Sequence, residues 1–181
     1  MKTLILNGSP RLDGNTKTAL KSVAEGIMEN TQYNVEFVDI VKYDIKGCMG
    51  CNSCRNNNRK TCIIKDDAEP ILKKICEADV VIFGSPVYWW GITSQLKALI
   101  DRIYCKNIAA EKLKKKIGLI SVGAADTYDI EYKLISGQFK CICDYLEWDL
   151  VIDEAVSAHS IGDLEKDKNK INELKNLWKN I

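Results

Sequence analysis

The sequence is short of histidine, arginine, proline and any excess of charge, and each shortage closes off a class of protein. One histidine, His159, stands among 181 residues. It lies late in the chain, so a Ser–His–Asp or Cys–His hydrolase is not expected. Three prolines and no Pro/Ser-rich tract leave no linker, repeat or low-complexity segment. A single domain spanning 1–181 is therefore expected. The 26 basic and 25 acidic side chains leave a net charge of +1, where a nucleic-acid binder carries a basic excess. No apolar run approaches the ~18 residues of a transmembrane helix. The opening Met1 to Asn7 turns polar too soon for a signal peptide. The expectation is a cytoplasmic protein with neither nucleic-acid nor membrane partner. The dinucleotide fingerprint G-x-G-x-x-G and the P-loop G-x-x-x-x-G-K-[ST] are both missing.

What is present is an ordinary globular composition, 46% apolar and 28% charged, in a chain long enough to bury a core without staples. Apolar periodicity alternates between two types. Short apolar runs predict strands over 3–6, 34–38, 80–83, 117–122 and 149–156. Helical spacing predicts helices over 16–29, 68–78, 94–103, 128–146 and 164–181. Their inward stripes carry Ala19, Leu20, Val23 and Ile27, then Ile71, Leu72 and Ile75, then Leu96, Leu99 and Ile100, then Ile135 and Phe139, and finally Leu174, Leu177 and Ile181. Asp66, Asp67 and Thr93 read as caps. The run from Lys112 to Lys116 reads as a solvated helix end or turn. Strands alternating with helices imply an α/β fold, a doubly wound five-stranded parallel sheet. In the order 2-1-3-4-5 a ligand sits beyond the carboxyl ends of strands one and three. The loops after Leu6, Phe83 and Val122 are therefore the ones that matter.

The first of these reads Asn7-Gly8-Ser9-Pro10-Arg11-Leu12-Asp13-Gly14-Asn15-Thr16. It has the parts of a phosphate cradle: two glycines, donors on Ser9, Asn15 and Thr16, a helix N-terminus, and one of only four arginines. A capped strand-to-helix turn is the alternative. The second reads Gly84-Ser85-Pro86-Val87-Tyr88-Trp89-Trp90-Gly91. Three consecutive aromatics next to a glycine suit a flat ligand; they also suit a covered sheet edge or a subunit interface.

Taken in order, Gly8-Ser9-Pro10-Arg11 with Gly14-Asn15-Thr16, then Gly84-Ser85-Pro86-Val87-Tyr88-Trp89, then Gln95-Leu96-Lys97-Ala98-Leu99-Ile100-Asp101-Arg102, resemble the NAD(P)H-dependent FMN reductase and iron–sulfur flavoprotein branch of the flavodoxin-like superfamily. The motifs run from residue 4 to about residue 123. The resemblance implies that Ser9, Arg11, Asn15 and Thr16 hold the FMN phosphate, with Lys17 or backbone amides beside them. It implies that Pro86, Val87, Tyr88 and Trp89 lie along the isoalloxazine, that Gly91 lets the backbone pass close, and that Gly123, Ala124 and Asp126 hold the pyrimidine end. Trp90 is left a stacking or access role. Asp101 and Arg102 read as a structural ion pair, and His159 as a surface or interface residue. No catalytic side chain is required, because a flavin carries its own chemistry.

Eight cysteines is a high count, and Cys48, Cys51, Cys54 and Cys62 fall in an insertion at about 46–65. C-x2-C-x2-C-x7-C lets three thiolates converge and a fourth close the set, which suits an iron–sulfur cluster better than a zinc ribbon. It also resembles the compact motif of iron–sulfur flavoproteins, which implies a 4Fe-4S cluster beside FMN. Loop thiols and a Cys51/Cys54 redox pair remain open. The polar stretch 55–61 reads as a loop, and Cys76, Cys105, Cys141 and Cys143 as small core or semi-buried residues. The expected activity is an FMN-dependent oxidoreductase passing electrons from NAD(P)H to a quinone, flavin or similar acceptor. An electron carrier with FMN and a cluster is the rival, and a metal-stabilised binding module a third reading. A homodimer or homotetramer is expected, because the loop aromatics are too apolar to stand open.

Overall fold

The structure is a computed structural model that describes residues 1–56, 61–106 and 113–181. Five strands, β1 (Lys2–Asn7), β2 (Asn34–Asp39), β3 (Val80–Pro86), β4 (Lys116–Gly123) and β5 (Asp149–Ser157), form one sheet in the order β2-β1-β3-β4-β5. All four pairings are parallel. The expected order and strand set are thus what the chain adopts. β3 runs three residues further than its apolar core, through Gly84, Ser85 and Pro86, which pair with Ile120, Ser121 and Val122.

Helices cover both faces. On one side lie α1 (Asn15–Asn30), α6 (Asp163–Lys166) and α7 (Lys168–Asn176); on the other lie α3 (Ala68–Glu77), α4 (Ser94–Arg102) and α5 (Ile130–Leu146). A short α2 (Ser53–Asn56) sits in the cysteine segment. Alternation along β1 explains why two cores form. Leu4 and Leu6 join the cluster under α3, α4 and α5, whereas Ile5 joins the one under α1 and α7. β5 breaks this parity. The register with β4 slips between Ile117 and Gly118, so Leu150 packs on one face and Val151 and Ile152 on the other.

Three expectations need correction. The closing helix over 164–181 is broken at Asp167, whose side chain accepts from the Lys170 amide and starts α7 anew; a 3-10 turn, Leu177–Asn180, ends it. Lys115, read as part of a solvated run, is 5% exposed, with its ammonium on the carbonyls of Cys76 and Ala78; Lys112 lies outside the described residues, as do positions 57–60 of the expected polar loop. Asp101 and Arg102 do not pair with each other. Asp101 takes Lys97 (2.6 Å) and Arg102 takes Asp66 (2.7 Å). Neighbours along a helix point apart, whereas residues four apart stack.

Candidate functional site

β1 ends in a buried network that fixes the first loop. Asn7 Nδ2 donates to Asp39 Oδ1 (2.9 Å), and the Ser9 amide donates to Asn7 Oδ1 (3.1 Å). Burial works to raise the Asp39 pKa, but bonds from Asn7, Lys17 and Lys42 outweigh it and hold the carboxyl below its usual range. Lys17 lies 2.8 Å from Asp39, so its ammonium serves this network rather than the cradle. The Ser9 hydroxyl accepts from the Arg11 amide at 3.1 Å. The loop then enters α1 with Gly14 as cap. Gly14 offers no capping side chain and the first turn holds no acid, which leaves the positive end of a 16-residue helix for an outside anion.

The second loop is tied to the first. The Gly8 amide donates to the Gly84 carbonyl (2.8 Å), and the Thr93 hydroxyl donates to the Gly8 carbonyl (2.7 Å). Thr93 also caps α4, accepting from Leu96. Between them, Tyr88 and Gly91 exchange both backbone bonds, at 2.9 and 3.0 Å. Trp89 (φ 48°) and Trp90 (φ 58°) form the tip of this hairpin. Two consecutive left-handed residues make the mirror-image turn that favours Asn-Gly; for bulky residues the strain is about 1–3 kcal/mol each. The turn holds Trp89 91% exposed, so this ring covers no sheet edge of its own chain. The third loop is anchored by the Val87 amide on the Val122 carbonyl (2.8 Å) and the Ala158 amide on the Gly123 carbonyl (2.7 Å). The Tyr132 hydroxyl sits within reach of the Ala125 and Val156 carbonyls, and burial pushes its pKa up to about 12.

One cleft of about 130 Å³ joins the three loops at the carboxyl end of the sheet. It brings together Ser9, Arg11, Asn15 and Thr16 with Pro86, Val87 and Tyr88 and with Gly123 and Ala124. Trp89, Gly91 and Asp126 are not among its lining residues; Asp126 is exposed and accepts from Tyr128. Sequence reasoning missed a fourth wall. Ala158, His159 and Ile161 line the same cleft, held there by Asn15. That side chain donates to the Ser160 carbonyl (2.8 Å) and accepts from the Gly162 amide (3.2 Å). The 145 residues separating Asn15 from Ser160 hid this contact; the only signal was that α1 and the closing helix share a face. The lining offers an uncapped helix N-terminus that suits an anion and, beside it, the apolar Pro86 and Val87 at the end of β3.

With the geometry established, comparison with known proteins decides the family. A family model described as NADPH-dependent FMN reductase matches residues 1–137. The chain belongs to that family. An iron–sulfur flavoprotein of Methanocaldococcus jannaschii is 38% identical over 125 residues, covering 69% of this chain and 63% of that protein. One from Methanosarcina thermophila is 32% identical over 152 residues, covering 82% and 72%. Against four of the curated relatives the match spans only 46% to 63% of their length. The crystal structure of an FMN-dependent NADH-azoreductase from Bacillus anthracis, in complex with FMN, superposes with a TM-score of 0.73 at 17% identity, covering 99% of this chain and 98% of that one. At that identity the likeness is one of fold.

The cysteine segment forms a second feature on the α3/α4/α5 side. Gly50 (φ 65°) and Asn52 (φ 56°) take left-handed backbone and bend the chain around Cys51. Bonds from Ser53 lower the Cys51 thiol pKa. Cys48, Cys51, Cys54 and Cys62 line one small cleft with Arg102, Tyr104 and Cys105. Burial pushes the Cys105 thiol up to about 11. All eight cysteines are free thiols among the described residues. Among those residues no three Cys, His, Asp or Glu side chains stand close enough to hold a single metal ion. A cubane is wider than one ion, and its ligands stand further apart. Two buried donors, Arg55 Nε and Arg102 Nε, have no partner among the described residues, and of the two residues Arg102 lines the cysteine cleft. An orphaned cationic donor on a residue that lines a cleft with four thiols suits an anionic sulfur group. A larger cleft among the described residues, about 770 Å³, is neither of these sites; it runs between the cysteine segment, α4 and the exposed face of α5.

Proposed function

We propose that the protein is an FMN-dependent oxidoreductase that takes electrons from NAD(P)H and passes them to a quinone, a flavin or a similar acceptor. The observation that carries this reading is the single cleft uniting an uncapped helix N-terminus, Arg11 and the β3 loop. Bound FMN would supply hydride acceptance and the return of one or two electrons. The chain's own part is to bind and orient. Arg11, Thr16 and the α1 amides take the phosphate, with Ser9 shaping the turn. Pro86, Val87 and Tyr88 flank the ring, with Trp89 at its open side. Gly123 and Ala124 close the pyrimidine end, without Asp126, which turns to Tyr128 outside the cleft. No nicotinamide fingerprint is present, so NAD(P)H meets the exposed ring face transiently. One domain carrying a cysteine insertion at 46–65, working as a homodimer or homotetramer in the cytoplasm, completes the reading. Among the described residues no helix is long and apolar enough to cross a membrane.

The second reading, favoured by the cysteine cleft and the unpartnered Nε of Arg102, is an iron–sulfur flavoprotein. There Cys48, Cys51, Cys54 and Cys62 hold a 4Fe-4S cluster and the protein carries single electrons. Anaerobic purification tests both readings. The expected product has one FMN per chain, with iron and sulfide that any single Cys→Ser change at these four positions removes while the flavin spectrum persists. FMN without iron or sulfide would retire the electron carrier and leave the reductase. Arg11→Ala should weaken FMN binding about tenfold or more, because a charge-assisted bond is worth about 1.5–3 kcal/mol. An unchanged FMN dissociation constant in that variant would remove the cradle assignment.

A further inference from the structure

We propose that Arg102 is the positioning residue of the cysteine cleft: it pins both ends of the cysteine segment and offers its unpartnered Nε–H to the anionic sulfur group held there. The inference rests on the iron–sulfur reading above. Arg102 is 1% exposed, among the largest fully buried side chains of the protein. Its Nη1 donates to the Lys46 carbonyl (2.8 Å) and to Asp66 Oδ2 (2.7 Å), and Nη2 donates to Asp66 Oδ1 (3.2 Å). Asp66 in turn accepts from the Lys46 amide (3.0 Å) and the Ala68 amide (3.1 Å). Lys46 precedes Cys48 and Asp66 follows Cys62, so one guanidinium closes the segment into a loop at its two ends. The closure is purely side-chain and backbone chemistry from α4, the helix that Thr93 ties to the first flavin loop.

A clamp of this kind uses Nη1 and Nη2. It does not account for Nε, which is buried with no partner among the described residues. A buried donor left without a partner is costly in any protein, and more so on a cation. Arg102 lines the cleft with Cys48, Cys51, Cys54 and Cys62, and Cys62 and Cys105 lie within its electrostatic reach. Asp66 neutralises the far side of the guanidinium at 2.7 Å, so the near side meets sulfur as a directed hydrogen bond more than as a bare charge. Donors to sulfur are among the features that set the potential of an iron–sulfur group. Reduction adds negative charge, so a donor held at the sulfurs favours the reduced form.

The test is Arg102→Lys in the anaerobically prepared protein. Lysine keeps a cation for Asp66 and the Lys46 carbonyl, but its three donors all sit on one terminal nitrogen, so the N–H at the Nε position is lost. Iron, sulfide and FMN are expected at wild-type content. The cluster's midpoint potential, followed by electron paramagnetic resonance, should fall by about a tenfold change in the reduction equilibrium, or about 59 mV for one electron. An unchanged potential with iron retained overturns the inference and leaves the cluster reading standing. A wild-type protein without iron or sulfide removes both. Should Arg102→Lys fail to keep iron, Asp66→Asn decides, since it loosens the clamp and leaves Nε–H in place. Iron retained in Asp66→Asn supports the donor role; equal loss in both variants reduces Arg102 to a clamp and overturns it.

Discussion

At the residue scale two carboxylates fix the segments that frame the candidate sites. Asp39 and Asp66 are nearly buried, and each is held by several donors. For Asp66, burial acts to raise the pKa, but bonds from Arg102, Lys46 and Ala68 outweigh it and hold the carboxyl below its usual range. A carboxyl that titrates lower in the folded chain than in the unfolded one contributes stability above its unfolded pKa, about 3.9. That contribution is lost as pH falls through the lower folded value. Urea midpoints should therefore stay level down to about pH 4 and then fall. Asp66→Asn, which cannot titrate, should fall less steeply; an acid limb parallel to wild type would exclude Asp66 as its source. Asp66→Ala should be destabilised by about 3–5 kcal/mol, because it strands a buried cation. The sequence showed Asp66 only as a helix cap. That part holds, since it accepts from the Ala68 amide, but its partner Arg102 is 36 residues away and was invisible.

At the element scale, periodicity located the helices and tertiary contact set their limits. The stripe of Ala19, Leu20, Val23 and Ile27 is fully buried, as its spacing required. The closing stripe of Leu174, Leu177 and Ile181 is divided, because α7 ends at Asn176 and a 3-10 turn, Leu177–Asn180, takes over, with Ile181 beyond it. α1 and α7 approach so closely that a Cβ on Gly26 would lie 1.8 Å from the Lys175 carbonyl oxygen. In an isolated helix Gly→Ala gains about 1 kcal/mol. Here Gly26→Ala should lose stability instead, by about 1–3 kcal/mol from overpacking. Chemical denaturation reads the sign directly, and a stabilised variant would mean that α7 moves freely. Gly26 looks like a helix defect in sequence; the packing makes it a contact.

At the scale of the whole molecule, the cleft proposed for the flavin is small. Its volume of about 130 Å³ is below the several hundred that ligand pockets commonly enclose. Around it and along α5 the chain leaves large apolar side chains open: Trp89 at 91%, Ile130 at 57%, Leu134 at 51% and Tyr145 at 70%. Ile130, Leu134, Cys141 and Tyr145 share one outer face of α5 by their spacing, and part of that face borders the 770 Å³ groove. A second copy of the chain would cover such surface. Light scattering at micromolar concentration should give the mass of two or four chains, and Leu134→Glu with Tyr145→Glu should shift it to one. A wild-type monomer at that concentration would end the oligomer reading.

The sequence by itself determined the sheet, its order and the three loops that meet at its carboxyl edge. Continuous apolar runs and helical stripes have few alternatives when strands and helices alternate, and the order 2-1-3-4-5 brings the loops after β1 and β3 to one switch point. It also marked Ser9, Arg11, Thr16, Pro86 and Val87, whose chemistry is local to each loop. Only the tertiary structure decided what crosses between distant segments. Asn15 reaches the loop after β5 and brings His159 and Ile161 to the cleft. Arg102 reaches Asp66 and the Lys46 carbonyl. Trp89 and Trp90 turn outward on a strained hairpin. Hydrogen bonds and ion pairs depend on atoms meeting in space, and no periodicity along the chain records which polar side chains will meet.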